Sequence, residues 1–264
     1  MNYVKPQDIH AILEAAIAIA RGAGEIHLRH FRHAGLRIDN KLNDSDVVTT
    51  ADREAEAFII SEINRRFPDH SVLSEESGAS GNPDSGLRWI VDPLDGTTNF
   101  SQGLPLFCVS ICVNDGTDDL VGVVYNPYLN ELFHAVRGEG AWLNGKSIQC
   151  SDKTRLQTAV AATGFPVDKG TNPDNNLENV ARIMPDVRGL RRLGSAAMDL
   201  AYVGAGFLDA YWEMDLHEWD VAAGRLIAKE AGARYTLWRD NNHRGICALA
   251  ASPGIYHLLL QRLV

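Results

Sequence analysis

Residues 89–100 read Trp-Ile-Val-Asp-Pro-Leu-Asp-Gly-Thr-Thr-Asn-Phe, and they carry the strongest signal in the sequence. The apolar start of this stretch predicts a buried strand, and Asp92 and Asp95 follow at the end of that strand. Pro93 stiffens the turn between the two aspartates, while Gly96 lets the backbone come close to a ligand. Because two like charges at one strand end are costly unless a cation neutralises them, the stretch predicts a metal site.

Oxygen ligands on a stiff turn suit Mg²⁺, a hard cation that keeps several waters and is shared with substrate phosphates. The backbone carbonyl of Leu94 offers a further oxygen. If Thr97 opens a short helix, its free amides favour a bound anion. A plainer interpretation stays open, because the same residues also suit an Asx-type turn that merely ends a strand.

Other acidic residues stand at the borders of predicted elements. Glu75 follows a short strand in Ser74–Ser77, where a single acid is ordinarily a solvated charge. Asp52 falls in the first turn of a predicted helix, where its plainer role is to stabilise the helix dipole. Asp220 heads an Ala-rich helix and can serve as its N-cap, and Glu213 precedes it by seven residues. None of these positions indicates a site by itself.

Hydrophobic spacing predicts two helices, then a largely antiparallel run of strands, then a mixed half. Apolar residues from Ile9 to Gly24 recur at helical spacing, with Pro6 in the first turn and Gly35 at the exit, and a second helix is predicted from about Thr50 to Phe67. Strands are predicted at Ser71–Ser74, Arg88–Val91, Phe107–Val113, Leu120–Tyr125 and Glu131–Ala135. Later helices are predicted at Asn175–Met184, Ser195–Gly204 and Asp220–Ala231.

This order of elements indicates two interlocked α/β halves, 1–150 and 151–264, with a soft boundary near residues 145–155. We expect the first half to carry most of the metal ligands. The polar run Asp39–Asp46 is predicted to form a mobile turn. Cys108 and Cys112 lie four apart on a strand, which predicts that both point into the core.

Composition limits the classes of function. The chain has 264 residues, 45% of them apolar, and 25 Lys and Arg against 34 Asp and Glu give a net charge of −9. This balance disfavours a broad basic grip on nucleic acid. The four cysteines form no CxxC pair, which favours reduced thiols. No leader pattern and no apolar run of about 20 residues is present, so we expect a cytoplasmic protein that does not bind membranes.

Six segments together resemble the inositol monophosphatase family. They are residues 89–100, Trp219–Gly224, Ser74–Ser77, Val47–Asp52, Gly138–Gly145 and Gly194–Ala197. The resemblance runs from about Ile9 to the C-terminus, and its one small departure is Ser74, where relatives often carry Gly. It implies a layered αβαβα sandwich of the α/β (α+β) class, as in inositol monophosphatase and fructose-1,6-bisphosphatase.

The resemblance also implies a metal set of two to three Mg²⁺ ions. Glu75, Asp92 and the Leu94 carbonyl would hold the first, Asp92, Asp95 and Asp220 the second, and Glu75 with waters a weaker third. Metals would reverse the local sign of a protein whose charge repels a phosphate dianion. Two such ions can clamp the attacking and leaving oxygens of an in-line displacement.

For catalysis, the resemblance implies that a water on the first metal attacks the phosphorus, oriented by the Thr97 hydroxyl, which Asp52 holds. Glu75 completes the implied catalytic set, and the Gly96 and Thr97 amides would cradle the phosphate. Asp-x-x-Asp spacing also suggests an aspartyl-phosphate enzyme, but both carboxylates are better used as metal ligands, so no covalent phosphoenzyme is expected.

On the substrate side, the resemblance implies that Glu213 accepts hydrogen bonds from substrate hydroxyls, and that the loop before a helix lines the polyol. The implied substrate contacts are Asp95, Gly96, Thr97, Gly194, Ser195, Ala196, Glu213 and Asp220. Lys41 matches a family loop position near the active site and is equally well explained as a solvated surface residue. His217 either faces the site or only caps a helix.

The implied function is that of a Mg²⁺-dependent, lithium-sensitive inositol-1-monophosphatase, a homodimer that releases myo-inositol and phosphate. Gly-Thr-Thr-Asn-Phe followed by Gly-Leu-Pro-Leu-Phe resembles this branch most closely. Fructose-1,6-bisphosphatase, histidinol-phosphate phosphatase and 3′-phosphoadenosine-5′-phosphate phosphatase share the metal motif and stay open. The expected partner is a small-molecule sugar or polyol phosphate. A non-catalytic regulatory binding protein is the alternative from another class, and loss of a ligand residue would favour it; every ligand residue is present.

Overall fold

A computed structural model describes residues 6–33, 35–40, 47–239 and 245–264. The helices of this part of the chain are α1 (Pro6–His30), α2 (Thr50–Arg66), α3 (Thr97–Ser101), α4 (Leu177–Ile183), α5 (Ala196–Gly204), α6 (Glu218–Glu230) and α7 (Pro253–Leu260). Its strands are β1 (Ile38–Asn40), β2 (Val47–Thr49), β3 (Ser71–Ser74), β4 (Gly78–Gly81), β5 (Arg88–Asp95), β6 (Cys108–Asn114), β7 (Asp119–Asn126), β8 (Glu131–Val136), β9 (Ala141–Leu143), β10 (Lys146–Ile148), β11 (Val160–Thr163), β12 (Gly189–Arg191), β13 (Ala210–Leu216), β14 (Arg234–Leu237) and β15 (Ile246–Ala251).

Two larger sheets carry the fold. The first has the strand order β10-β9-β8-β7-β6-β5-β3-β4, antiparallel throughout except where β3 runs parallel to β5. The second has the order β12-β11-β13-β15-β14, in which β11 runs parallel to β12 and to β13. The strands β1 and β2 form a separate antiparallel pair before α2.

Helices cover both faces of each sheet and make five layers. Apolar residues of α1 and α2 pack on one face of the first sheet, and α5 and α6 pack on its other face. The opposite sides of α5 and α6 contact the second sheet, whose outer face is covered by α4 and α7. Because each sheet buries apolar side chains on both faces, the layers stack as αβαβα. The predicted layered sandwich is confirmed.

The predicted elements largely recur, with shifted ends. The strand Ser71–Ser74 has the predicted bounds, and the second helix ends one residue earlier than predicted, before Phe67. The strand predicted to end at Val91 continues to Asp95 as β5, which corrects the expected turn after Val91. Of the predicted mobile turn, Asp39 and Asn40 belong instead to the strand β1, and residues 41–46, with Lys41 among them, lie outside the described residues.

Cys108 and Cys112 are buried in one core cluster between the first sheet and α5 and α6, as predicted. No helix in the described ranges is both long enough and apolar enough to cross a membrane.

Candidate active site

The strand β5 delivers its two aspartates through a bulge. Its pairing with β6 is regular up to Asp92, shifts register, and resumes at Asp95. A bulge bends a strand and changes the direction of its side chains. Here the bulge brings the two aspartates to the end of the strand, which is the role expected of the predicted stiff turn. Within it, Asp92 is 2% exposed, and its Oδ1 accepts a hydrogen bond from the Leu94 amide at 3.0 Å.

A buried histidine of α1, which we did not predict as part of the site, holds this bulge from behind. The His27 Nε2–H donates to the Pro93 carbonyl oxygen at 2.9 Å, and the ring packs edge-on against Phe100 and Phe107. Burial lowers the pKa of His27 from 6.5 to about 3, so the ring is neutral at physiological pH. The sequence marks this position only as part of the helix that covers the first sheet.

Asp52 and Thr97 meet as the resemblance implied. Asp52, at the third position of α2, accepts from the Thr49 amide at 2.8 Å and the Thr49 hydroxyl at 2.6 Å through Oδ2. The Thr97 hydroxyl lies 2.9 Å from Asp52 Oδ1 and 3.0 Å from the Leu94 carbonyl oxygen, so its single proton can go to either. Burial raises the pKa of Asp52 from 3.8 to about 6.

The loop that carries Glu75 is fixed beside Asp92. Ser74 pairs with Val91 in the parallel register of β3 and β5. Glu75 and Asp92 are the next residues along these two chain segments, so they are neighbours. The partly buried amides of Glu76 and Ser77 both donate to Glu56 Oε1 at 3.1 Å. Glu56 projects from α2 and was not among the predicted site residues.

Asp220 comes from the second half of the chain, at the third position of α6. Its Oδ2 accepts the His217 amide at 2.6 Å, and His217 is the N-cap residue of the helix. The interpretation of Asp220 as the N-cap is therefore wrong by three residues, because the helix begins at Glu218. The exposed His217 ring stacks on Trp219, with ring centroids 4.7 Å apart.

The carboxylates of Glu75, Asp92, Asp95 and Asp220 repel one another. Burial, then Glu75, Asp95 and Asp220, hold the pKa of Asp92 well above its usual range, and burial and Glu75 do the same for Asp220. Burial is also the main cause for Asp95, and it raises the pKa of this residue to about 6. A bound cation would relieve this repulsion.

The donor set around these carboxylates fits a hard cation such as Mg²⁺. All of its atoms are oxygens, and the mutual repulsion would be relieved by positive charge. Among the described residues, no group of three or more His, Cys, Asp or Glu side chains is placed to hold a metal by itself. Mg²⁺ usually keeps several waters and substrate oxygens, so it does not need a closed protein cage.

The start of α5 closes onto Asp95. The Ser195 hydroxyl and the Ala197 amide donate to Asp95 Oδ2 at 2.7 and 2.8 Å. Ser195, predicted to line the substrate, is 2% exposed and orients this carboxylate. The helix N-terminus thus binds a protein anion, which its free amides favour.

Asn99 connects the segment after β5 to the loop before β6 and to the loop before α5. Its Nδ2 donates to the Leu106 and Leu193 carbonyl oxygens, both at 2.7 Å. Beside it, Gly96 has φ +91°, and a Cβ there would come within 2.8 Å of the Leu106 oxygen. Asn99 belongs to the quoted motif, but the sequence gives no sign of its distant partner.

A cleft with two adjoining lobes opens over these groups. The lobe of about 680 Å³ is lined by Asp95, Asp220, Glu213 and the residues Gly194–Ala196, and the lobe of about 600 Å³ by Gly96 and Thr97. Glu75 and Arg192 border both lobes. Of the remaining predicted site residues, Asp52, Asp92 and the Leu94 side chain are buried below the cleft wall.

Glu213 projects from β13 into the larger lobe. Its Oε2 accepts the Tyr211 hydroxyl at 2.8 Å, and Arg192 also favours its charged form. Burial outweighs both and raises the pKa of Glu213 from 4.5 to about 7. A second bulge follows Glu213 in the pairing of β13 with β15, so both sheets are irregular where they meet the cleft.

Comparison with known proteins agrees with this geometry. The sequence profile of the inositol monophosphatase family matches residues 8–262. The chain belongs to the inositol monophosphatase family.

Similar members carry different names. A curated relative named Nus factor SuhB, from Haemophilus influenzae, is 42% identical over 224 residues, which cover 85% of this chain and 84% of that protein. The solved structure of the extragenic suppressor protein suhB from Bartonella henselae has a TM-score of 0.89 and 38% identity, over 96% of this chain and 98% of that one. The inositol monophosphatase of Anabaena (Nostoc) has a TM-score of 0.84 and 35% identity, over 97% and 96%. Membership of the inositol monophosphatase family is thus shown along nearly the whole chain.

Proposed function

We propose that this chain is a Mg²⁺-dependent phosphomonoester hydrolase, with inositol 1-phosphate as the first candidate substrate. One observation carries the proposal: Glu75, Asp95 and Asp220 line one cleft, the buried Asp92 interacts with all three, and these four acids come from three separate parts of the fold. Such a cluster of acids costs stability, and an all-oxygen donor set at a cleft is what a divalent cation and a phosphate would share.

In this proposal, Glu75, Asp92 and the Leu94 carbonyl hold one Mg²⁺, and Asp92, Asp95 and Asp220 hold a second, with a weaker third on Glu75. When bound, the ions would neutralise these carboxylates, polarise the phosphoryl oxygens and make water a stronger nucleophile. Phosphate-monoester hydrolysis is among the slowest uncatalysed reactions, so electrostatic help of this kind has to be large.

The chain's own groups would orient the attack. When the Thr97 hydroxyl donates its proton to Asp52 Oδ1, 2.9 Å away, its oxygen lone pairs can accept a hydrogen bond from an attacking water. With a pKa of about 6, Asp52 is mostly ionised at pH 7 and can hold this arrangement. The Thr97 and Gly96 amides would bind the phosphate, since the first amides of a helix have no partner within it.

The larger lobe would bind the alcohol part of the substrate. Glu213 presents carboxylate oxygens there, and Gly194, Ser195 and Ala196 form the adjoining wall. Ser195 would act mainly by orienting Asp95. Since Asp220 and Glu213 belong to residues 151–264, the proposed halves 1–150 and 151–264 would share one site.

A panel assay tests the proposal. Phosphate release would be measured with and without Mg²⁺ from myo-inositol 1-phosphate, fructose 1,6-bisphosphate, histidinol phosphate, 3′-phosphoadenosine 5′-phosphate and 2′-AMP. We expect Mg²⁺-dependent preference for inositol phosphate. Preference for another ester would keep the metal chemistry and overturn the choice of substrate.

A regulatory binding role is the second candidate, because relatives 42% identical to this chain are named Nus factor. Folded protein that releases no phosphate from any member of the panel would favour this role over catalysis. The expected homodimer and cytoplasmic location remain predictions; light scattering of the purified chain would test the first.

A further inference from the structure

Gly164 lies directly beneath the carboxylate of Glu213. In the parallel register of β11 and β13, Thr163 pairs with Trp212, so Gly164 and Glu213 are the next residues along the two strands. A Cβ built on Gly164 would come within 1.9–2.0 Å of the Glu213 carboxyl carbon and both its oxygens. No real side chain fits at that distance, so the Glu213 carboxylate occupies the volume that a side chain at 164 would need.

The backbone at Gly164 is held in place by a buried amide. Asn176, 3% exposed, donates through Nδ2 to the Gly164 carbonyl oxygen at 2.6 Å and to the Thr163 hydroxyl at 2.8 Å. Its Oδ1 accepts the Trp212 indole N–H at 3.0 Å, and the Thr163 hydroxyl donates to the Trp212 carbonyl at 2.6 Å. Both strands are therefore tied together, and neither can retreat from an added methyl group without breaking buried hydrogen bonds.

The remaining freedom belongs to Glu213. Its carboxylate is bounded below by Gly164 and is held by the fully buried Tyr211, whose hydroxyl donates to Oε2 at 2.8 Å. A methyl group at 164 would displace the carboxylate from this position, and the larger lobe, which Glu213 lines, is the open space beside it. The acidic group would then lose its fixed position relative to a bound alcohol.

We propose that Gly164 is a specificity-determining residue, because its missing side chain seats Glu213 where its carboxylate can accept hydrogen bonds from substrate hydroxyls. This inference rests on the proposed function, and it assigns to Gly164 a positioning role rather than a contact with the reacting phosphate. Gly164 adjoins Phe165, which lines both lobes of the cleft.

Gly164→Ala tests the inference, with Gly170→Ala as the matched control. Gly170 lies in the same segment, has no atom within 4 Å of a built Cβ, and does not line the cleft. Steady-state kinetics would compare myo-inositol 1-phosphate with p-nitrophenyl phosphate, which has no hydroxyls for Glu213. For Gly164→Ala we expect kcat/KM on inositol phosphate to fall about 10- to 100-fold, mainly through KM, as for lost hydrogen bonds to a charged group. The aryl phosphate and the control should change by less than about threefold.

A double-mutant cycle distinguishes an effect of Gly164 on the position of Glu213 from a general disturbance of the structure. With Glu213→Ala already present, the collision is gone, so Gly164→Ala should cause no further loss on inositol phosphate. The same double variant should fold even if Gly164→Ala alone does not. Equal losses on both substrates, additive losses in the cycle, or failure of the double variant to fold would each overturn the inference.

The proposed function can fail separately. If the parent chain hydrolyses no ester, catalysis is refuted, and calorimetric binding of myo-inositol 1-phosphate in the presence of Mg²⁺ then decides the inference. Binding that is weakened in Gly164→Ala and kept in Gly170→Ala would support the seating role. Equal binding by both variants, or no binding by the parent, would overturn it.

Discussion

Replacing Asp52 with asparagine is expected to stabilise the folded chain while it removes most turnover. Asp52 is fully buried, and burial raises its pKa from 3.8 to about 6. At 1.36 kcal/mol per pKa unit, this rise corresponds to about 3 kcal/mol of lost stability when the group is ionised. The unfolded chain loses this proton near pH 4 and the folded chain near pH 6, so stability falls between these pH values and is then constant.

The variant should keep the local hydrogen bonds. An asparagine at 52 can turn its oxygen to the Thr49 amide and hydroxyl, which now donate to Oδ2. Its amide would then donate to the Thr97 hydroxyl oxygen, and Thr97 can give its own proton to the Leu94 carbonyl, 3.0 Å away. Because the Thr97 oxygen would then accept this amide hydrogen, one of its two lone pairs would no longer be available to an attacking water. We therefore expect turnover to fall about 10²- to 10⁴-fold, which is the usual contribution of a side chain positioned to assist proton transfer.

Urea unfolding in the presence of a chelator checks the stability part at two pH values, because bound metal would add its own stabilisation. The Asp52→Asn variant should exceed the parent by up to about 3 kcal/mol at pH 8 and by about half of that at pH 5. Phosphate release in Mg²⁺ checks the activity part. A variant that is less stable than the parent at pH 8, or that keeps turnover within about threefold, would refute the reasoning.

Three further perturbations follow from the same geometry. Asn99→Ala removes the bonds to the Leu106 and Leu193 carbonyls and should cost about 2–3 kcal/mol in urea unfolding; a loss below about 0.5 kcal/mol would contradict this cross-link. Because burial lowers the pKa of His27 from 6.5 to about 3, the unfolded chain takes up this proton at higher pH, so the contribution of His27 to stability should fall as pH drops from about 6.5. His27→Phe lacks this contribution, so its stability relative to the parent should rise over that pH range, and a constant difference would exclude His27 as a cause. Millimolar Li⁺ should inhibit phosphate release by competing at the second Mg²⁺ site, and an unaffected rate would count against that site.

Local spacing predicted the pair Asp92 and Asp95, which stand three apart after an apolar run. Glu75 follows another short strand, and only the resemblance implied that it lies with this pair. The ends of elements were predicted less accurately than the elements themselves. The N-cap of α6 is His217, which is not a favoured capping residue, and the start at Asp220 was therefore assigned two residues late.

Contacts between distant segments could not be predicted in the same way. Asn99 bonds a carbonyl 94 residues away, and the seat of Glu213 on Gly164 depends on the register of two strands. The strands β11 and β15 were not predicted, because short Ala-rich apolar runs do not distinguish a buried strand from a helix. Pairing register and layer order are set by the packed core, which one sequence does not display.

The most direct test of metal-dependent hydrolysis is the Mg²⁺ dependence of phosphate release from myo-inositol 1-phosphate, measured for the parent and for Asp92→Asn. Asp92 is central to both proposed metal positions, and an amide holds Mg²⁺ poorly. We predict that the parent rate rises to saturation with Mg²⁺, while the folded variant loses most of that rate at every matched concentration. Near-full activity of Asp92→Asn at matched Mg²⁺ would contradict the two-metal site on which the proposal is built.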